Sequence, residues 1–187
     1  MADVTKWVLT LSCPDRPGIV AAVAGALAAL QGNITESQQF GDSDSGLFFM
    51  RVEVEADVER EAIAGALGSV AQSFEMTWNL DVVGRPLRTV VMVSTASHCL
   101  HDLAYQPHSG RLPIDVVAVV SNHTALTDIA GFYNLPFHHV PVTRDTKAQA
   151  EAELLRIVRE TDAELVVLAR YMQILSDDLC RELAGKV

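Results

Sequence analysis

The chain has 187 residues, of which 49% are hydrophobic and 20% charged, and its formal net charge is −10. This composition provides the apolar side chains for a packed core in one or two domains and argues against disorder. The acidic balance argues against nucleic acid as a partner, because phosphate binding requires a basic surface.

The sequence shows no sign of export or of a membrane span. Its three cysteines, Cys13, Cys99 and Cys180, are odd in number and far apart, which fits neither a disulfide framework nor a CxxC metal site. The first six residues lack the basic and then apolar order of a signal segment, and the longest apolar run, 18–30, is too short to cross a bilayer. We therefore expect a soluble protein in a reducing, cytoplasmic setting with no membrane partner.

The first part of the chain has the periodicity of a βαββαβ unit. Strand patterns cover residues 6–12, 34–40, 47–55 and 74–82, and helical patterns cover residues 17–31 and 58–72. In the last strand, alternate residues are expected to face inward: Phe74, Met76, Trp78, Leu80 and Val82. Gly32 and Asn33 are expected to end the first helix, and Pro17 suits its first turn. These patterns predict a one-sided antiparallel sheet covered by two helices.

Residues 13–20, which read Cys-Pro-Asp-Arg-Pro-Gly-Ile-Val, and the later Gly-Asn-Ile at 32–34 resemble the opening of an ACT domain. The resemblance covers residues 4–83 and implies a ferredoxin-like regulatory domain that pairs side by side and binds a small amino-acid effector. The candidate ligand residues are Asp15, Gly18, Ile19 and Asn33. A helix N-terminus attracts a carboxylate, and Gly18 lets the backbone come close to it. The alternative is that Asp15 and Arg16 only cap and flank the helix and that the domain only dimerises.

Glycine and proline interrupt both periodicities after the last of these strands. We place the first domain at 1–84, a linker at 85–88 and a second domain at 89–187. In the second domain, strand patterns cover residues 89–94, 114–120 and 165–169, a short extended piece covers 136–141, and helical patterns cover 98–105, 125–133 and 147–160. Strands that alternate with helices predict right-handed crossovers and a Rossmann-like parallel sheet.

The stretch 165–176 organises the second domain. Four apolar residues, Leu165 to Leu168, indicate a strand buried on both faces, and the chain then leaves the strand through Ala-Arg-Tyr-Met-Gln. Ligands of open α/β sheets bind at the carboxyl ends of the strands. The stretch therefore predicts a slot whose main-chain groups read a flat heterocycle between apolar walls. The alternative is an ordinary core strand with its turn.

The first strand–helix turn of this domain excludes two classes of ligand. Residues 94–99 contain no glycine, so a dinucleotide pyrophosphate has no close approach to the backbone, and the chain has no Walker loop. His98, Cys99 and His101 crowd one helix start, but their spacing is poor for a metal, and we predict no metal site. Cys99 is a weak nucleophile candidate, because a helix N-terminus and an imidazole lower a thiol pKa.

Five segments, 97–103, 120–123, 135–143, 146–147 and 168–176, occur in order behind the ACT-like opening and together resemble the formyltetrahydrofolate deformylases. The resemblance implies hydrolysis of 10-formyltetrahydrofolate to tetrahydrofolate and formate, in one-carbon and purine metabolism, without a cofactor. It assigns folate binding to Arg170, Tyr171, Met172, Gln173, Ile174 and Leu175, whose backbone from Met172 onward pairs with the ring. It places four residues in the active-site loops: Ser94, His98, Cys99 and Asn122.

One departure from that family concerns the catalytic residues. The family's Asn and His directly follow a Gly-Lys/Arg-Val/Ile stretch and its Asp lies later, whereas Gly185-Lys186-Val187 is the end of this sequence. None of the three is assigned here, and we expect them beyond Val187, with the formyltransferase-like domain incomplete at its C-terminus.

Two other functions stay open at this point. The first is folate-dependent formyl transfer to an amine acceptor. However, residues 94–98 stand where related glycinamide ribonucleotide formyltransferases have a glycine-rich phosphate loop, and this difference favours water as the acceptor. The second is an amino-acid-sensing ACT module whose second domain is vestigial. The exposed sheet edges of ACT domains also imply a homo-oligomer.

Overall fold

The computed structural model describes residues 4–187, which form two compact units that divide between Arg85 and Pro86. The first unit contains, in chain order, β1 (Lys6–Pro14), α1 (Ile19–Ala29), β2 (Asn33–Asp42), β3 (Leu47–Glu55), α2 (Arg60–Phe74) and β4 (Thr77–Val82). Its strands form one antiparallel sheet in the order β2-β3-β1-β4. The predicted βαββαβ unit is confirmed.

One face of this sheet packs against the two helices. Alternate residues of β1 are buried, as the period of two along a strand requires. They meet helix residues that recur every fourth position: Ile19, Val23 and Leu27 from α1, and Ile63 and Leu67 from α2. The one charged side chain buried in the described residues, Glu53, lies 2.6 Å from Arg51 and 2.8 Å from Lys6. These two cations hold the pKa of the Glu53 carboxyl below its ordinary value.

The ends of α1 differ from the prediction. The helix begins at Ile19, after Gly18 with a φ of 97°, so Pro17 precedes it. At the other end Gln31, with a φ of 58°, takes the left-handed conformation that was expected of Gly32 or Asn33. Gly32 serves close packing instead, because a Cβ there would lie 2.8 Å from Val54 Cγ2 and 3.0 Å from the Leu27 carbonyl oxygen.

The strand expected at residues 74–82 begins later than predicted, and its inward pattern is wrong at Val82, although Phe74, Met76 and Trp78 pack against the core as expected. Phe74 is the final residue of α2, and Glu75, with a φ of 55°, turns the chain so that the Met76 N–H bonds back to the Ala71 carbonyl. The strand therefore begins only at Thr77, and Val82 at its far end is exposed.

The second unit contains β5 (Leu87–Val93), α3 (His98–Tyr105), a 3₁₀ turn (Gln106–Ser109), β6 (Ile114–Ser121), α4 (Thr127–Phe132), β7 (Phe137–His139), α5 (Lys147–Glu160), β8 (Leu165–Leu168) and α6 (Asp177–Glu182). Its four strands are parallel, in the order β7-β6-β5-β8, which confirms the Rossmann-like sheet. Strand β5 begins at Leu87, so it includes the last two residues of the expected linker.

Helices cover both faces of the parallel sheet. Val90 and Met92 of β5 pack on the side of α5 and α6, while Val91 and Val93 pack on the side of α3 and α4. The chain runs from β5 through β6 to β7 and then returns to place β8 on the other side of β5. The strand order therefore reverses beside β5, which is where open α/β sheets form a ligand crevice. No helix of residues 4–187 is long and apolar enough to span a bilayer.

Gly32→Ala is expected to destabilise the first unit by about 1–3 kcal/mol, because the added methyl group meets backbone and a buried valine. Gly25→Ala is the matched control. Gly25 lies in α1, and a methyl group added there would have no neighbouring atom within 4 Å, so alanine is expected to stabilise by about 0.5–1 kcal/mol. Urea unfolding followed by tryptophan fluorescence reports on this unit, since Trp7 and Trp78 are the two tryptophans of the chain. Equal midpoints for the two variants would contradict the packing role.

Candidate functional site

The carboxyl edge of the parallel sheet gathers buried polar side chains. Ser94 follows β5, and Ser121 and Asn122 lie at the end of β6. Their exposed fractions are 3%, 0% and 9%. Buried polar groups need hydrogen-bond partners, so their placement at two adjacent strand ends indicates a built network.

The network joins three strand exits. The Ser94 hydroxyl donates to Asn122 Oδ1 at 2.7 Å and accepts from the main-chain N–H of Met172, which follows β8, at 3.0 Å. The Ser121 hydroxyl donates to the Ser94 carbonyl at 3.2 Å and accepts from the His123 N–H at 3.1 Å. Side chains at the carboxyl ends of β5 and β6 therefore connect these two strands to each other and to the chain that follows β8.

The segment that leaves β8 alternates in its exposure. Arg170 is exposed and has a φ of 62°, which turns the chain out of the strand direction. Tyr171 and Leu175 pack against the cluster under α5 and α6, while Met172 and Ile174 are 67% and 86% exposed. Burial raises the pKa of the Tyr171 hydroxyl, and the negative charge of the nearby Glu151 adds to the rise.

The main chain of this segment is attached at two points within residues 4–187. The Met172 N–H bonds to Ser94, and the Ser176 N–H bonds to Glu151 Oε1 at 2.9 Å. Between them, the N–H and C=O groups of 173–175 form no hydrogen bond with any described residue. Three consecutive residues thus offer donors and acceptors to a ligand or to water.

Glu151 fixes the second attachment point. Its carboxylate accepts from both the N–H and the hydroxyl of Ser176, the latter at 2.5 Å, and lies 3.9 Å from Lys147 Nζ. The Ser176 hydroxyl in turn accepts from the Leu179 N–H and so caps α6. Residues 172–176 are therefore held at one end by the Ser94 hydroxyl, just after β5, and at the other end by the Glu151 carboxylate on α5. We call these residues the suspended segment.

A narrow pocket lies beside the segment. Three polar residues, Lys147, Glu151 and Gln173, contribute to its lining. The other lining residues are mainly apolar: Met92, Val120, Val140, Val142, Ala150, Leu154, Tyr171, Ile174, Leu175 and Leu179. As it stands the pocket holds about one water molecule, with about 10 Å³ of room.

The structure brings together part of the expected site. Ser94 and Asn122 are in direct contact and join the Met172 backbone. His98 is exposed at the start of α3, and Cys99 packs against the apolar cluster on the α3 side of the sheet. Neither forms a hydrogen bond with this network within the described residues.

Sequence reasoning assigned no role in the site to Glu151 or Ser176, although the order Ser-Asp-Asp at 176–178 predicts a helix start, which α6 confirms. A signal for Ser176 was present, because serine followed by two aspartates and a leucine is a typical helix N-terminus. Glu151 gave none, since its helix also contains Glu153 and Glu160, and only the fold places Glu151 opposite Ser176.

The expected ligand residues of the first unit do not form one cluster. Asp15, Gly18 and Ile19 lie together at the turn after β1, although the Ile19 side chain is buried. Asn33 pairs with Glu55, which itself pairs with Lys6 at the opposite end of β1. The β1 strand separates the two places by about 26 Å at roughly 3.3 Å per residue. Within one copy Asn33 therefore does not lie beside Asp15, because α1 carries the chain back along the sheet, and its role as a ligand residue stays a prediction.

The turn after β1 is braced by the first unit itself. Arg16 donates to the Ser73 carbonyl, and its guanidinium lies 4.8 Å from the centre of the Phe74 ring. The Asp15 N–H bonds to the Gly46 carbonyl at 2.9 Å. Within the described part of the chain no side chain caps α1, so the first-turn N–H groups of this helix have no side-chain acceptor there. Among the described residues, no group of three or more His, Cys, Asp or Glu side chains is placed to hold a metal ion.

Comparisons with known proteins agree with both halves of this architecture. Residues 7–72 match the ACT domain family, and residues 87–187, more than half of the chain, match the formyl transferase family. The chain therefore belongs to the formyl transferase family, with an ACT domain ahead of its formyl transferase domain.

Within that family the chain is most evidently similar to formyltetrahydrofolate deformylases, as its motifs predicted. The protein of that name from Corynebacterium sp. (strain P-1) is 45% identical over 189 residues, which cover all of this chain and 66% of that protein. The one from Bacillus subtilis (strain 168) is 38% identical, over 92% of this chain and 59% of that protein. A crystal structure from Burkholderia mallei superposes with a TM-score of 0.92 at 40% identity, over 97% of this chain and 65% of that one. The chain thus spans less than two thirds of the length of these relatives.

Glu151→Gln is expected to loosen the segment after β8, because the neutral amide loses two charge-assisted hydrogen bonds from Ser176. Amide exchange over residues 171–183, followed by mass spectrometry, is expected to become about tenfold faster, which corresponds to about 1.4 kcal/mol. Glu153→Gln on the same helix is the control, since Glu153 pairs with Arg156 and not with the segment. Equal exchange in the two variants would show that Glu151 does not hold the segment.

Proposed function

We propose that this chain carries the folate-binding part of a hydrolase that converts 10-formyltetrahydrofolate to tetrahydrofolate and formate, in one-carbon and purine metabolism. Its relatives are named formyltetrahydrofolate deformylase, and it shares their domain order. The observation that carries the proposal is the suspended segment, in which residues 173–175 offer unbonded main-chain groups between exposed apolar side chains.

The chemistry of this segment suits a pterin ring. Such a ring has alternating donors and acceptors along one edge and two flat apolar faces. Main-chain N–H and C=O groups of Gln173, Ile174 and Leu175 match the edge, while Met172 and Ile174 provide apolar contact with a face. The two attachment points keep these groups in place before the ligand arrives, which lowers the ordering cost of binding. Arg170 and Tyr171 complete the folate-binding stretch as the turn and the packed anchor that precede it.

The reaction itself is a hydrolysis of an N-formyl group. Water adds to the formyl carbon, the bond from that carbon to N10 breaks, N10 takes up a proton and formate leaves. No electrons are gained or lost, so we propose that no cofactor beyond the folate substrate takes part. The Asn, His and Asp implied by the resemblance are not assigned to residues of this sequence. The activity is therefore proposed for the full-length gene product.

Formyl transfer to an amine is the second enzymatic possibility. Residues 94–98 contain no glycine, and Ser94 is committed to the network between strand exits, so this loop is poorly suited to a substrate phosphate. Water as the acceptor is therefore favoured. An assay without any amine acceptor separates the two reactions, because only the hydrolase turns over in it.

We further propose that the ACT domain binds a small amino acid at the uncapped N-terminus of α1, beside Asp15 and Gly18. The three cysteines of the chain are free thiols, which fits the proposed reducing, cytoplasmic setting. Calorimetry with glycine and methionine, compared with tetrahydrofolate, distinguishes this regulatory role from that of a purely amino-acid-binding protein. Binding of amino acids without binding of folate would favour the latter.

The full-length gene product is expected to release formate and tetrahydrofolate in equal amounts from 10-formyltetrahydrofolate in water. In the same protein Ile174→Asp is expected to raise the Kd of tetrahydrofolate at least tenfold, because a charge replaces an apolar contact with the ring. Formate is measured enzymatically and the Kd by calorimetry.

Phe132→Asp is the control for that variant. Phe132 is also exposed, at 77%, but lies on α4, on the other face of the sheet. Its Kd for tetrahydrofolate is expected to equal that of the wild type. Failure of the wild type to release formate without an amine, or unchanged binding by Ile174→Asp, would reject the proposal.

We also propose that the chain is a homo-oligomer that pairs through its first unit. Strand β2 is an edge strand, and Phe40 on it is 65% exposed opposite the partly exposed Phe49 of β3. Such an edge is a ready template for a second copy. Phe40→Asp is expected to shift sedimentation from dimer toward monomer, whereas Phe132→Asp leaves it unchanged. A monomeric wild type at micromolar concentration would contradict the pairing.

A further inference from the structure

The Ser94 hydroxyl is the point at which two strand exits and the folate segment meet. It has one proton and two lone pairs, and its side chain is almost wholly buried. It accepts the N–H of Met172, a residue 78 positions later, and donates its own proton to Asn122 Oδ1. Both neighbours therefore depend on this one oxygen.

These bonds also determine how the Asn122 amide is turned. If its NH₂ group faced Ser94, the serine would accept twice and its proton would have no acceptor there. The arrangement with Oδ1 toward Ser94 satisfies all three groups and directs the NH₂ group away from the serine. That NH₂ group has no partner among residues 4–187, and Trp7 Nε1 is the one buried side-chain polar atom without a partner in that range. The Asn122 NH₂ group is therefore in contact with solvent.

We infer that Ser94 is a positioning residue for the ligand, a role that rests on the proposed function. Through Met172 it sets the register of the free main-chain groups at residues 173–175. Through Asn122 it holds a solvent-contacting NH₂ group at the end of β6, and Asn122 donates a hydrogen bond from that group to an oxygen of the ligand. One hydroxyl thus aligns a main-chain and a side-chain recognition element that arise from different strands.

Few other side chains could form both hydrogen bonds of Ser94 in the same space. Alanine leaves the part-buried Met172 N–H and the buried Asn122 Oδ1 without the partner that Ser94 provides, so both groups turn elsewhere. Asparagine 122 allows a complementary change, because Asn122→Asp keeps an acceptor for the Ser94 proton and removes the NH₂ donor. The two variants therefore separate positioning of the segment from donation to the ligand.

The test uses the full-length gene product and measures two quantities. The first is amide exchange at Met172 without ligand, which Ser94→Ala is expected to accelerate at least tenfold. The second is the Kd of tetrahydrofolate, which the same variant is expected to raise about tenfold. Asn122→Asp is expected to raise that Kd about tenfold while Met172 exchange stays as in the wild type. Ser97→Ala, in the same loop and without a side-chain bond, is expected to change neither quantity.

The outcomes are distinguishable. Unchanged Met172 exchange in Ser94→Ala overturns the positioning role, even if the wild type binds folate. Wild-type affinity in Asn122→Asp overturns the donor role of Asn122. If the wild type binds no tetrahydrofolate, the proposed function and the ligand role of Ser94 both fall, while Met172 exchange still decides whether Ser94 holds the segment.

Discussion

A main chain that leaves a strand must find new partners for its N–H and C=O groups, and in the second unit this requirement determines the structure around the end of β8. The chain finds two partners, the Ser94 hydroxyl and the Glu151 carboxylate, and leaves the groups between them unbonded. Both partners lie on elements that the parallel sheet already fixes. The crevice therefore lies beside main-chain groups that form no hydrogen bond with the rest of the described residues.

The rest of that unit serves to keep these partners in place. Alternate residues of β5 pack on opposite faces of the sheet, so the strand cannot shift without exposing one of two apolar clusters. Because β5 ends at Val93, its register determines where Ser94 stands relative to Asn122 at the end of β6. On the face of the sheet that α5 covers, the burial of Leu154 and Ile157 fixes the rotation of this helix about its axis. That rotation determines the direction in which the Glu151 side chain points. Packing of ordinary apolar residues therefore sets the geometry of the polar ones.

Much of the fold could be predicted from the sequence, because the spacing of apolar residues and the positions of turn-forming residues are local properties. The strand and helix order of both units, the parallel sheet and the stretch after β8 all followed from apolar spacing and turn residues. What failed depended on tertiary packing. Gly32 was expected to adopt a positive φ, but it is needed for the approach of Val54, and Phe74 belongs to a helix whose end is set by Glu75. Asn33 was grouped with Asp15 by motif, although strand pairing separates them. Within the site, Ser94 and Asn122 were named only through the family resemblance, whereas the contact of Glu151 with Ser176 required knowledge of which helix faces α6.

The suspension of the segment between two fixed bonds has a consequence for how this region tolerates change. From Met172 to Ser176 the number of residues is set by the distance between a hydroxyl and a carboxylate, so an insertion or deletion would break one of the two bonds. Side chains at Met172 and Ile174 face outward and are not subject to that constraint. Substitutions at these two residues should therefore be tolerated far better than any change in the length of the loop.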